Sequence, residues 1–164
     1  MGKEWRENGR NCYKYYTQIP TRWMDNDVYL HVNNVNYYSF FDTVIGLYLI
    51  NKSGLNITDD PVVGFCVESS CSYFKPLQFP EVVDAGLRVT HLGHSSARYE
   101  IGLFRGREES LSAAGYFVHT FVSRATHKPH KIPDKIRIAL EKISSSLKLN
   151  LVQTIKNSSY YVNH

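Results

Sequence analysis

Cysteine is scarce and odd in number in this 164-residue chain, which carries only Cys12, Cys66 and Cys71. With no C-x-x-C spacing among them, a disulfide framework and a paired-cysteine zinc site are both excluded. The expectation is a reduced, intracellular protein in which Cys66 and Cys71 are small buried hydrophobes and Cys12 is a free thiol in an N-terminal tail. Long apolar runs are also missing. No stretch approaches the roughly 18 residues of a membrane span, and the N-terminus lacks a signal-peptide apolar core. Glu4 and Glu7 interrupt Lys3, Arg6 and Arg10, which argues against a mitochondrial presequence. Gly2 is followed by Arg rather than Ser or Thr at position six, against the myristoylation pattern. A cytoplasmic location is expected, with an organelle matrix left open. No Lys/Arg block of five occurs, and a net charge of +4 is too small for a nucleic-acid binder, though it suits an anionic small ligand.

What the chain does have is apolar residues, 43% of the total, enough for one ordinary domain without staples. Its expected bounds are a tail over 1–12, a domain over 13–146 and an extension over 147–164. Tyr13 to Trp23 reads as a first strand, closed by the turn-forming Asp25-Asn26-Asp27. From Asn33 to about Asn51 the residues Tyr37, Phe41, Val44, Ile45 and Tyr48 recur at helical spacing, predicting a helix of about 28 Å. Phe40, Leu47, Leu49 and Ile50 widen its apolar face, so it is expected to be covered on more than one side. Gly54 supplies a C-terminal stop. The period then changes to two, and strands are predicted over Val62 to Phe74, Val82 to Leu92, Ala97 to Arg105 and Leu111 to Ser123. Short links make the sheet antiparallel, and its alternation leaves one face for the helix. Pro133 opens a short closing helix bearing Ile136, Ala139, Leu140 and Ile143. The fold class is therefore α+β.

Chemistry concentrates in Arg22-x-x-Asp25-x-Asp27-x-x-x-His31-Val32-Asn33-Asn34-x-x-Tyr37. The run sets carboxylates just ahead of a long helix, whose N-terminus offers unpaired N–H groups and a positive dipole end. That combination suits attack on a carbonyl: Asp27 supplies or activates the attacking oxygen, and the helix start holds the oxyanion. The competing reading of Asp27 is a helix-approach cap. Asp25 is expected to be structural, paired with Arg22 or with turn amides. Asp25, Asp27 and His31 as metal ligands would need further donors from elsewhere, so no metal is expected.

The order of elements resembles the hot-dog fold, and the motif is similar to the signature of the acyl-CoA thioesterases that include the hydroxybenzoyl-CoA branch. Echoes continue at Ser69 to Pro76, at Gly93 to Glu100 and at Ser123 to Pro129. The resemblance implies that Asp27 is the catalytic carboxylate, as nucleophile or general base. It implies too that the backbone N–H of Asn34 polarises the thioester carbonyl, with His31 positioning the loop or touching the acyl group. Ser95, Ser96, Arg98, Arg124 and Lys128 become candidates for binding coenzyme A, whose phosphates seek cationic and hydroxyl groups. A homodimer or homotetramer with active sites at subunit interfaces is implied, and no cofactor, coenzyme A being part of the substrate. One position departs from the pattern: many relatives have Gly where this chain has Leu30.

The expected activity is hydrolysis of an acyl-CoA to coenzyme A and a carboxylic acid. Its rivals are hydrolysis from acyl carrier protein, a hot-dog dehydratase, which the Asp27 motif disfavours, and acyl-CoA binding without turnover.

Overall fold

The computed structural model describes Trp5 and residues 8–145; the predicted extension over 147–164 lies outside them. Five strands, β1 (Tyr15–Pro20), β2 (Val62–Tyr73), β3 (Val82–Leu92), β4 (Ser96–Arg105) and β5 (Leu111–Ser123), accompany two helices, α1 (Asn34–Ser53) and α2 (Asp134–Lys142). The strands form one antiparallel sheet in the order β1-β3-β4-β5-β2. Consecutive strands β3, β4 and β5 are joined by short turns, while β1 and β2 flank them as edges.

α1 begins where Asn33 caps it, its side chain accepting from the Val35 N–H at 3.2 Å, and ends at Gly54 in the left-handed conformation, φ 67°. Tyr37, Phe40, Phe41, Val44, Ile45, Tyr48 and Leu49 are buried along it. They pack on Ala85, Leu87, Tyr99, Ile101 and Leu103 of the sheet and on Ile136 and Leu140 of α2. The Tyr48 hydroxyl fastens the two helices by donating to the Ala139 carbonyl at 2.6 Å. Covering on two sides explains why Phe40 and Leu49 are buried, whereas Ile50 faces out.

Two expectations change. β1 is shorter than predicted: after Pro20 the chain turns into a 3-10 turn, Trp23–Asp25, because Asp25 is drawn back onto the Arg22 N–H at 2.6 Å. Cys66, expected to be buried, is exposed, because β2 is an edge strand. A bulge at Val67, between Cys66 and Glu68, interrupts its pairing with β5.

The far face of the sheet has its own small core. Arg10–Cys12 forms a 3-10 turn, and Tyr13 lies buried against Phe104, Leu111 and Ala114. Its ring fills a slot cut by two glycines: a Cβ on Gly86 would sit 2.8 Å from the ring, and one on Gly102 would fall inside its contact distance. Arg10 closes the slot from above, pairing with Asp84 at 3.0 Å and lying over the Phe104 ring.

Candidate active site

The motif folds into a tight hairpin ahead of α1. The Asp27 N–H donates to the His31 carbonyl at 2.8 Å, and the Leu30 N–H donates to the Asp27 carbonyl at 3.1 Å. Leu30 has φ 64°. A turn followed by a left-handed residue is the common three-residue hairpin loop, and this is the position where the resembling family carries Gly. Asn26 and Val32 bridge at the hairpin base.

Asp25 anchors the hairpin to the helix. Fully buried, its carboxylate binds the Arg22 side chain at 2.7 Å, while its carbonyl accepts from the Asn33 N–H at 2.8 Å and the Asn36 side chain at 2.9 Å. Asp25 therefore has the structural role expected of it, bound to the Arg22 side chain and N–H. Leu77 ties in the far wall: its carbonyl accepts from the Val32 N–H at 2.7 Å, and its N–H donates to the Tyr37 hydroxyl at 3.3 Å.

On this frame Asp27 separates two cavities. One, of about 390 Å³, is lined by Trp23, Asn26, Asp27, Leu30, Gln78 and Phe79. The other, of about 360 Å³, brings Asp27 together with His31, Asn34, Tyr37, Tyr73 and Phe74. One Asp27 oxygen accepts from the Tyr29 N–H at 2.8 Å; its second oxygen accepts no bond from the described residues. Asn34 is the first residue of α1, and its N–H has no acceptor among the described residues, whereas the neighbouring Asn33 and Val35 amides are both taken. Its carbonyl accepts from the Tyr73 hydroxyl at 3.3 Å. Burial raises the pKa of Tyr73, and the Cys71 thiol raises it further, so at neutral pH this phenol is a donor.

Asp27, His31 and Asn34 thus line one cavity. Tyr73 joins them in that cavity, and Gln78 and Phe79 meet Asp27 in the neighbouring one, all three unforeseen. Tyr73 and Phe79 read as strand and turn residues, and only the juxtaposition of the β2 end with the hairpin gives them a place here.

The five residues picked for coenzyme A gather elsewhere. Ser95 and Ser96 make the β3–β4 turn, where the Ser95 carbonyl accepts from the Phe121 N–H at 2.7 Å. Arg124 donates to the carbonyls of Ile57 at 2.8 Å and Asp60 at 3.1 Å, and Lys128 follows in the same loop. Arg98 lies on the sheet's far face, 3.6 Å over the Tyr116 ring. Val62 pairs with Ser123 at this end of β2, and Tyr73 pairs with Ala113 at the Asp27 end. At about 3.3 Å per residue the two ends lie roughly 35 Å apart. Within one chain these groups do not reach Asp27.

A long helix wrapped by a five-stranded antiparallel sheet, with a carboxylate hairpin at the helix start, defines a hot-dog thioesterase, a thioester hydrolase. The comparisons agree: residues 21–140 match the Thioesterase-like superfamily, and the chain belongs to that family. It is 48% identical to the PA5185 protein of Pseudomonas aeruginosa, whose crystal structure superposes with a TM-score of 0.83 over 84% of this chain and 96% of that one. The 1,4-dihydroxy-2-naphthoyl-CoA thioesterase Slr0204 of Synechocystis shares the fold at 14% identity, with a TM-score of 0.70 over 77% of this chain and 94% of its own. So does the SAV2348 protein of Staphylococcus aureus, solved in complex with CoA, at 14% identity and a TM-score of 0.72 over 79% and 83%. The comparison with curated proteins gives no match. Among the described residues no helix is long and apolar enough to cross a membrane.

Proposed function

We propose that the protein hydrolyses an acyl-CoA thioester, with Asp27 as the working carboxylate and the Asn34 N–H as the oxyanion donor. The observation that carries this reading is that both groups line one cavity, each with unspent hydrogen-bonding capacity. The acyl carbonyl oxygen docks at the Asn34 amide, at the positive end of a 20-residue helix. The Tyr29 N–H steadies one Asp27 oxygen, leaving the other to act. As a base, Asp27 takes a proton from water while the water oxygen bonds to the carbonyl carbon. The tetrahedral oxyanion then collapses, the C–S bond breaks, and the departing thiolate regains a proton. As a nucleophile, Asp27 bonds to the carbonyl carbon and expels the coenzyme A thiolate as the C–S bond breaks, and water then cleaves the resulting acyl anhydride to the carboxylic acid and the Asp27 carboxylate.

The reading also includes a homodimer joined through β2. That strand offers a 12-residue unpaired edge flanked by the exposed Phe65, Val67 and Tyr73, the kind of edge that pairs with another chain unless it is protected. Twofold pairing of antiparallel β2 strands sets the Tyr73 end of one subunit beside the Val62 end of the other. Arg124 and Lys128 of one subunit would then flank the Asp27 cavity of its partner, where the phosphates of coenzyme A need cations.

Release of thiol from short-chain, long-chain and aryl-CoA substrates tests the proposal. The parent protein is expected to turn over at least one of them, and Asp27→Asn to lose on the order of 10²-fold or more in kcat. Label found in Asp27 after single turnover in ¹⁸O-water would establish the nucleophilic role, since a general base acquires none. A parent that is inactive on every CoA ester but active on acyl carrier protein would move the substrate to the carrier. Binding without turnover would overturn the hydrolytic reading.

A further inference from the structure

The Asp27 hairpin and the first turn of α1 form one hydrogen-bonded unit. The Asp25 carbonyl joins them, accepting from the Asn33 N–H and from the Asn36 side chain, and the Asn33 side chain closes the turn on the Val35 N–H. This unit is tied to the β2–β3 loop through Leu77 and through the Phe79 N–H, which donates to the Asn26 side chain at 3.1 Å. A loop is a soft support for a site whose donors must be preorganised. A link to the sheet itself comes from Tyr73.

Tyr73 is the last residue of β2 and stands on a firm base. It pairs with Ala113, and the next two N–H groups, of Phe74 and Lys75, both donate to the Ser112 carbonyl, at 2.8 and 3.0 Å. Its ring meets the Tyr37 ring edge-on, with 4.9 Å between centroids, and the Tyr37 hydroxyl is in turn held by the Leu77 N–H. The Tyr73 hydroxyl donates to the Asn34 carbonyl at 3.3 Å. That carbonyl lies inside α1, where the helix supplies it with the N–H four residues on, that of Tyr38. Tyr73 therefore does not rescue an orphaned group. What its bond adds is a set distance between the sheet and the residue whose N–H is the proposed oxyanion donor. At 3.3 Å the bond is long for a hydroxyl, and it can tighten once substrate is bound, as catalytic contacts do.

We propose that Tyr73 is a positioning residue of the thioesterase site, setting the first turn of α1 against the end of β2 so that the Asn34 N–H meets the thioester carbonyl. The inference rests on the roles given above to Asp27 and Asn34. Those two keep their mutual spacing without Tyr73, because both belong to the hairpin unit. What shifts is that unit relative to Phe74, Lys75 and Pro76, which wall the same cavity beyond the end of β2. A substrate lying against those walls then binds about as well and reacts more slowly, the pattern of an interaction that counts mainly in the transition state.

The test compares Tyr73→Phe with Tyr16→Phe and the parent. Each variant keeps its ring and loses one hydroxyl bonded to a carbonyl, the Tyr16 bond running to Arg10 at 2.8 Å on the far face of the sheet. With short-chain, long-chain and aryl-CoA substrates, Tyr73→Phe is expected to lower kcat roughly tenfold, about what one hydrogen bond commands, with KM little changed. Tyr16→Phe is expected to keep the parental kcat. The ¹³C carbonyl resonance of a bound ketone analogue, with CH₂ in place of the thioester sulfur, separates positioning from stability: it is expected to move toward its free value in Tyr73→Phe alone. Amide exchange at Val35 and Asn36 is expected to quicken in that variant, while exchange at Ile45, in the middle of α1, stays parental. A Tyr73→Phe protein with parental kcat, or with a lower kcat and an unmoved carbonyl resonance, overturns the positioning role while the hydrolase stands. If the parent hydrolyses none of the esters, the acyl-CoA reading fails on its own and exchange decides: faster exchange at Val35 in Tyr73→Phe upholds Tyr73 as the tie that sets the helix start, and unchanged exchange overturns it.

Discussion

Leu30 offers a test in which the sign of an effect is diagnostic. Its φ of 64° places a Cβ-bearing residue in the left-handed region, which costs about 1–2 kcal/mol outside glycine. The side chain is 70% exposed, so little packing depends on it. Leu30→Ala and Leu30→Gly remove the same contacts and differ only in the Cβ. At an ordinary backbone angle glycine would be the less stable by about 0.5–1 kcal/mol, through chain entropy. Here the relieved strain exceeds that loss, leaving Leu30→Gly more stable than Leu30→Ala by about 0.5–1 kcal/mol. For a domain of this size that difference is about 1–4 °C in Tm. Thermal and urea unfolding of the two variants, at one fixed protein concentration so that association does not intrude, provides the measurement. If Leu30→Ala proves as stable as Leu30→Gly, the hairpin does not hold residue 30 in this conformation and the geometry assigned to Asp27 falls with it.

Stability should also depend on pH through His119. Its folded pKa, about 4, lies below the ordinary 6.5, so between these values the unfolded chain binds the extra proton and stability falls as pH falls. The full effect is about 3 kcal/mol at 1.36 kcal/mol per pH unit. Urea midpoints measured from pH 7 to pH 4 should decline in the parent and much less in His119→Phe; parallel curves would refute the assignment. Gly102→Ala should destabilise by about 1–3 kcal/mol, because the new methyl collides with the Tyr13 ring. An unchanged or raised Tm would mean that the ring is not seated between the two glycines.

The periodic parts of the molecule were legible because burial on one side writes itself into the sequence. Phe41, Val44, Ile45 and Tyr48 marked α1, and Val83, Ala85, Leu87 and Val89 marked the inner face of β3. The Asp27 hairpin was legible for another reason, since caps and turn chemistry are local. What escaped was set by partners distant in sequence. The burial of Tyr13 depends on Gly86 and Gly102, more than seventy residues away, and the exposure of Cys66 depends on a strand order that periodicity does not encode. His119 did occupy an inward position of its strand, between Phe117 and Phe121, so its burial was available from alternation alone. The sequence did not reveal that Arg124 and Lys128 lie at the opposite end of the sheet from Asp27.

The bulge at Val67 changes what the two thiols of β2 can report. Cys66 and Cys71 are five residues apart, an odd interval that would put them on opposite faces of a regular strand. The inserted residue restores their phase: Cys66 stands opposite His119 and Cys71 opposite Gly115, both on the helix side. Four ladder steps of about 3.3 Å keep them roughly 13 Å apart, beyond disulfide reach. They are therefore two independent attachment points along one groove. Cys66 is the accessible one and Cys71 the more sheltered, with its thiol pKa pushed up to about 11 by burial. Once Cys12 is replaced by Ser, a thiol-specific spectroscopic label would select Cys66 over Cys71, giving a reporter on the strand edge of β2.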